Sequence, residues 1–75
     1  MLTPREKEVL ELVCKGYSNS QIANELIIST HTAKAHVTSI IRKLGLENRT
    51  LVACYAVQKH LVDIDFESMK YLKDY

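Results

Sequence analysis

Cysteine is scarce in these 75 residues: Cys14 and Cys54 are the only two, they stand far apart, and each sits inside an apolar stretch. That excludes a disulfide framework and a closely spaced zinc site, and predicts two reduced thiols packed as ordinary core residues. No apolar run is long enough to cross a bilayer, and the basic-then-apolar layout of a signal peptide is missing from Met1-Leu2-Thr3-Pro4-Arg5, so the reading is a cytoplasmic protein with no membrane role. A strong excess of basic charge is also lacking, since the formal net charge is +1. Total charge therefore does not announce nucleic-acid binding. There is no internal repeat, low-complexity segment or obvious linker, and 75 residues are too few for a second independent core. With 47% hydrophobic and 25% charged residues the balance is globular.

What is present is a succession of helix starts and stops. Thr3 followed by Glu6, with Pro4 between them at the first helical position, predicts a capped helix over roughly 4–15 whose core stripe is Val9, Leu10, Leu12 and Val13. Gly16 supplies the left-handed residue that closes it. Ser18 with Gln21 makes a second capping box, and Ile22, Ala23 and Leu26 mark the buried face of a short helix ending near Leu26. Ile27-Ile28 then form an apolar turn without the usual glycine. Ser29 caps a third helix over Thr30–Leu44, roughly 22 Å long at the standard rise, with Ala33, Val37, Ile40, Ile41 and Leu44 toward the core. Gly45 ends it, and Asn48 caps a fourth helix from Arg49 to about His60. The fold class is all-α, a four-helix bundle in residues 1–62, followed by an acidic and then amphipathic tail over 63–75 in which Phe66, Met69, Tyr71 and Leu72 can line a short fifth helix.

A short capped helix, a tight turn and a longer capped helix are the plan of a helix-turn-helix DNA reader. The outward side of the third helix carries His31, Lys34, Ala35, Thr38 and Arg42, a stripe with no large apolar side chain and no carboxylate. Charge is placed to match. Lys34, Arg42, Lys43 and Arg49 oppose only Glu47 within residues 30–50, whereas residues 1–29 and 63–75 are each net negative.

Leu2-Thr3-Pro4-Arg5-Glu6, Ser18-Asn19 with Ile22-Ala23, Thr32-Ala33-Lys34-Ala35-His36-Val37, Lys43-Leu44-Gly45 and Asn48-Arg49-Thr50 together closely resemble the LuxR/NarL-type (GerE-like) DNA-binding domain of bacterial transcription regulators. The resemblance covers about Leu2 to Leu61. It implies a four-helix output domain of a response regulator or autoinducer receptor, which dimerises through its last helix on inverted half-sites of double-stranded DNA. It also leaves room for a contact with RNA polymerase, and implies no cofactor. By position, Lys34 is expected at base edges, with Ala35, Thr38 and His31 shaping which bases are accepted. Ser18, Ser29, Thr32, His36, Arg42, Lys43 and Arg49 are expected at phosphates, and Thr50, Cys54 and Val57 at the dimer interface. Two positions depart from the family pattern: Ala33 stands where valine is common, and Thr38 where a longer or polar residue is frequent. No phosphoacceptor aspartate or signal pocket is assigned within these residues.

Quieter readings stand beside these. Lys34, Arg42 and Lys43 could form an ordinary solvated helix face, and Thr50, Cys54 and Val57 could pack against the acidic tail. A helical protein-interaction module and region 4 of a sigma factor are the alternatives in function; the helix opened by Asn48-Arg49-Thr50 argues against the second. His31 and His36 are five apart, so they do not share a face as metal ligands would, and no metal site is expected. No nucleophile with a base and no converging carboxylates point to catalysis, so no catalytic residue is assigned.

Overall fold

The computed structural model describes residues 1–62, which form α1 (Pro4–Cys14), α2 (Asn19–Leu26), α3 (Thr30–Leu44) and α4 (Arg49–Gln58). Each helix begins where a short polar side chain satisfies an otherwise unpaired amide. Thr3 accepts from the Glu6 amide while Glu6 accepts from the Thr3 amide, and Ser18 and Gln21 repeat the pattern at α2. Ser29 accepts from the Thr32 amide and Asn48 from the Leu51 amide. The bounds of α3 are those expected from the sequence. The fourth helix stops short of His60 because His60 itself turns left-handed, at φ 58°, and the Leu61 amide donates back to the Ala56 carbonyl at 2.8 Å. The expected fifth helix and the 63–75 tail lie outside the described residues.

Val9 and Leu10 from α1, Ile22 from α2, Ala33 and Ile40 from α3, and Val52 and Ala56 from α4 are the most deeply buried apolar residues. α1 meets each of the other helices, and α2 packs most extensively on α3. The small Ala23 and Ala33 are both buried, which lets those two helices approach closely. Several expectations need adjusting. Leu26, Ile41 and Leu44 are only partly buried at the core margin, while Tyr17 and Val62, which the periodic stripes do not include, are in the core. Cys14 is buried and its thiol is pushed up to about 11, first by burial and then by the neighbouring Cys54 and Glu11. Cys54, expected to be packed, is exposed. The reason is helical period: Val52 and Ala56 face the core, and position 54, two residues from each, falls on the far side.

The position of α3 is fixed by one buried carboxylate. Glu6 is 4% exposed, and besides capping α1 through the Thr3 amide at 2.8 Å it accepts from two α3 side chains. The Ser39 hydroxyl donates to Oε2 at 2.7 Å and Lys43 Nζ donates to Oε1 at 2.8 Å. Ser39 and Lys43 are one helical turn apart on the same side of α3, so the carboxylate restrains both the approach and the rotation of that helix. The Lys43 hydrogen bond is the main cause that holds the Glu6 carboxyl down at about 2, with the Thr3 amide and Ser39 adding to it against the opposing effect of burial.

The turn between α2 and α3 carries backbone strain. Ile27 lies in the left-handed region at φ 57°, ψ 51°, and the residue is 91% exposed. A β-branched residue is poorly suited to that conformation, which costs an ordinary L-residue about 1–2 kcal/mol. Gly45 occupies the same region at φ 68° with open space where a Cβ would stand.

Two outcomes follow from these local arguments. Ile27→Gly should raise stability by about 0.5–1 kcal/mol, the strain relieved less the added chain entropy of glycine, while Gly45→Ala should lower it by about 1 kcal/mol. Urea unfolding followed by circular dichroism measures both, and a loss of stability in the glycine variant would contradict the strain argument. The Glu6 carboxyl is depressed from 4.5 to about 2 on folding, so its contribution is complete above pH about 4.5 and fades as the pH falls toward 2. Glu6→Gln should cost about 1.5–3 kcal/mol at neutral pH, and the difference from the parent protein should shrink through that acid window. A difference independent of pH would mean that the carboxylate charge is not what stabilises the clasp.

Candidate nucleic-acid interface

α3 divides cleanly into two sides. Ala33, Val37 and Ile40 are buried against the bundle. His31, Lys34, Ala35, Thr38 and Arg42 are exposed and, together with the half-buried Ser39, line one shallow concavity on the opposite side. The separation comes from the 3.6-residue period: steps of three and four keep the apolar residues in register, and the polar or small residues between them have nowhere to face but outward. Among the described residues, no carboxylate lines this surface. Arg42 and Lys43 occupy the last turn of α3, where cations also offset the negative end of the helix dipole. The five residues assigned from sequence to the outward stripe thus share one surface, and the structure adds Ser39, which sits at its edge while donating to Glu6.

The residues expected at phosphates fall into two groups. Ser18 and Ser29 are exposed at the starts of α2 and α3, with Thr32 half-buried beside Ser29, whose hydroxyl donates to Thr32 Oγ1 at 2.9 Å. His36 is half-buried on α3 and Arg42 is exposed. Helix starts present amides and the positive end of the dipole to an anion. Lys43 and Arg49 have other partners. Lys43 Nζ binds Glu6 and also donates to the Met1 carbonyl at 3.3 Å. The Arg49 guanidinium, at the first position of α4, donates to Asn19 Oδ1 at 2.8 Å and to the Tyr17 carbonyl at 2.9 Å. It is half-buried, and burial lowers its pKa from the ordinary value. These bonds link the α4 start to the α2 start. Sequence reasoning missed them because Asn19 and Tyr17 lie some 30 residues earlier, beyond the reach of any spacing rule.

α4 presents a second surface. Thr50 and Cys54 are exposed, Val57 is 45% exposed, and Leu51, Tyr55 and Leu61 are large apolar residues left in contact with solvent. Val52 and Ala56 are buried on the other side. Thr50, Cys54 and Val57 follow one another at steps of four and three and so share a face. Together with Leu51 they form an apolar strip that the described part of the chain leaves uncovered.

Residues 1–56 match the family described as bacterial regulatory proteins, luxR family. The response regulator protein VraR of Staphylococcus aureus (strain Mu3 / ATCC 700698) is 47% identical over 62 residues, covering 83% of this chain and 30% of that protein. VraR of Staphylococcus saprophyticus gives the same identity and coverage. Thus the chain spans about a third of the length of these relatives. Among solved structures, the transcription factor GerE superposes with a TM-score of 0.77 at 31% identity, covering 85% of this chain and 96% of GerE. ChrA, a response regulator in a heme-sensing two-component system, gives a TM-score of 0.76 at 42% identity over 83% of this chain and 31% of its own.

Proposed function

The chain belongs to the luxR family of bacterial regulatory proteins as a DNA-binding helix-turn-helix domain, and on that premise we propose that it seats α3 in the major groove and binds inverted half-sites as a dimer through α4. The single observation that carries this reading is the outward surface of α3, where exposed His31, Lys34, Ala35, Thr38 and Arg42 share one concavity that, among the described residues, no carboxylate lines. An α-helix fits the major groove, and a phosphate-walled groove repels acidic side chains. Lys34 is the base-reading residue, because its ammonium donates to guanine O6 and N7. Ala35 offers methyl contact suited to thymine, and Thr38 and His31 restrict the neighbouring positions.

Phosphate contacts fall to Ser18, Ser29, Thr32, His36 and Arg42, with the amides that open α2 and α3 aimed at the backbone. These set register without reading sequence. Lys43 and Arg49 contribute indirectly, by fixing α3 and α4 to the rest of the bundle. The strip of Thr50, Leu51, Cys54 and Val57, which the other described residues leave uncovered, supports a two-fold contact in which the same patch meets itself, and such an axis matches a palindromic operator. In the longer relatives the corresponding domain is about a third of a response regulator, and the same arrangement is proposed for this chain, working on duplex DNA in the cytoplasm.

Two experiments test the parts separately. Selection of bound sites from random duplexes should return paired, inverted half-sites, and Lys34→Ala should weaken the selected site by about 1–3 kcal/mol while flattening base preference at one position of each half-site. An unaltered preference would remove Lys34 from the reading role. Val57→Asp should abolish the cooperative shift on a duplex with two half-sites and leave binding to a single half-site unchanged, as measured by gel shift. Equal cooperativity in the variant and the parent would refute pairing through α4.

A further inference from the structure

The clasp between α1 and α3 joins two features that bear on DNA. Ser39 donates to Glu6 and also lines the concavity of the reading surface. Lys43, one turn further on and adjacent to Arg42, has its ammonium on the same carboxylate although 37% of its side chain remains exposed. One buried residue therefore restrains the rotation of α3 and neutralises one of the basic side chains at its end. We infer that Glu6, without touching DNA, is a specificity-determining positioning residue: it aims the Lys34 stripe through Ser39 and withholds Lys43 from phosphate.

This rests on the DNA-binding reading above and deepens it. Phosphate contacts strengthen binding to every sequence alike, whereas discrimination depends on how well the stripe is aligned with base edges. Pairing Lys43 internally reduces the indiscriminate part of the affinity. Holding Ser39 keeps the selective part in register. A merely structural Glu6 would give a different result, because partial unfolding weakens binding to all DNA and leaves the number of phosphate contacts in the folded fraction unchanged.

The experiment measures affinity for the selected site and for a scrambled duplex between 50 and 200 mM salt, at a temperature where circular dichroism shows each variant folded. Lys43→Gln, which keeps a hydrogen-bond donor for Glu6, should leave the salt slope as in the parent protein. Glu6→Gln should free Lys43, steepening the slope by about 0.9 and raising affinity for the scrambled duplex about threefold at the low-salt end, while preference for the selected site falls. The double variant Glu6→Gln/Lys43→Gln should return the slope to the parent value. A slope that falls by about one unit in Lys43→Gln would overturn the inference, since Lys43 would then already be on phosphate. So would an unchanged slope in Glu6→Gln, or a steeper one that persists in the double variant. If Glu6→Gln does not fold, the Lys43→Gln slope alone decides. Absence of salt-dependent binding by the parent protein would remove the DNA-binding reading itself, an outcome distinct from each of these.

Discussion

The carboxylate of Glu6 is the interaction on which the working arrangement depends. Burying an ion in a small helical bundle is costly unless its oxygens find donors, and here the Thr3 amide and Lys43 supply Oε1 and Ser39 supplies Oε2. Hydrophobic packing of Val37 and Ile40 brings α3 to the bundle, but apolar contact is non-directional and tolerates small rotations of a helix about its axis. Hydrogen bonds at two positions one turn apart do not. Because Lys34, Ala35 and Thr38 are carried by the same helix, any rotation of α3 about its axis turns them by the same angle, and the long Lys34 side chain moves furthest. Restraint at Ser39 and Lys43 therefore also sets the direction of the outward surface.

Arg49 makes the corresponding tie for α4. Its guanidinium reaches the Tyr17 carbonyl and Asn19 just at the α2 start, so the helix that opens the reading motif and the helix with the exposed apolar strip are held to each other by directed bonds. α2 is therefore pinned at its beginning by Arg49 and along its length by α3. Its end is different. Ile27 turns the chain in a conformation that glycine would adopt more readily, and the apolar side chain there is left to solvent. The reading motif thus combines firmly placed helices with a strained connection between them, which means that the α2 to α3 geometry is maintained by packing and caps and not by the turn.

Most of the backbone was legible from local chemistry. Thr3, Ser18, Ser29 and Asn48 are capping residues whose partners lie three positions on, and Gly16 and Gly45 mark left-handed closures, so helix starts and stops could be placed from short windows. The stripe on α3 was legible for the same reason, since a helix of known start assigns every residue to a side. What could not be read was whatever joins distant segments. Glu6 is sufficiently explained as a capping-box residue, and nothing within a few positions indicates that its second oxygen faces Ser39 and Lys43. Lys43 and Arg49 were accordingly placed with the DNA-facing cations. Cys54 is a different case, an apolar neighbourhood in sequence that does not amount to burial, because only the side bearing Val52 and Ala56 meets the core.

On the proposed DNA-binding mode, the disposition of the cations suits a domain with a net charge of +1 to selective and not general attachment to DNA. Sequence-independent affinity grows with the number of phosphates neutralised, and genomic DNA offers a vast excess of wrong sites. A recognition helix surrounded by free lysines and arginines would be held on those sites almost as well as on the right one. Here two basic side chains have partners within the bundle, the part-exposed Lys43 on Glu6 and the half-buried Arg49 on Tyr17 and Asn19, while Lys34 and Arg42 are exposed on the outward surface. If Glu6 withholds Lys43 from phosphate as inferred, the same bonds that fix helix orientation also lower the background against which base contacts must compete. Under the proposed pairing through α4, two half-sites bound together would restore the affinity that each surface alone gives up, and would do so only where both half-sites are correct.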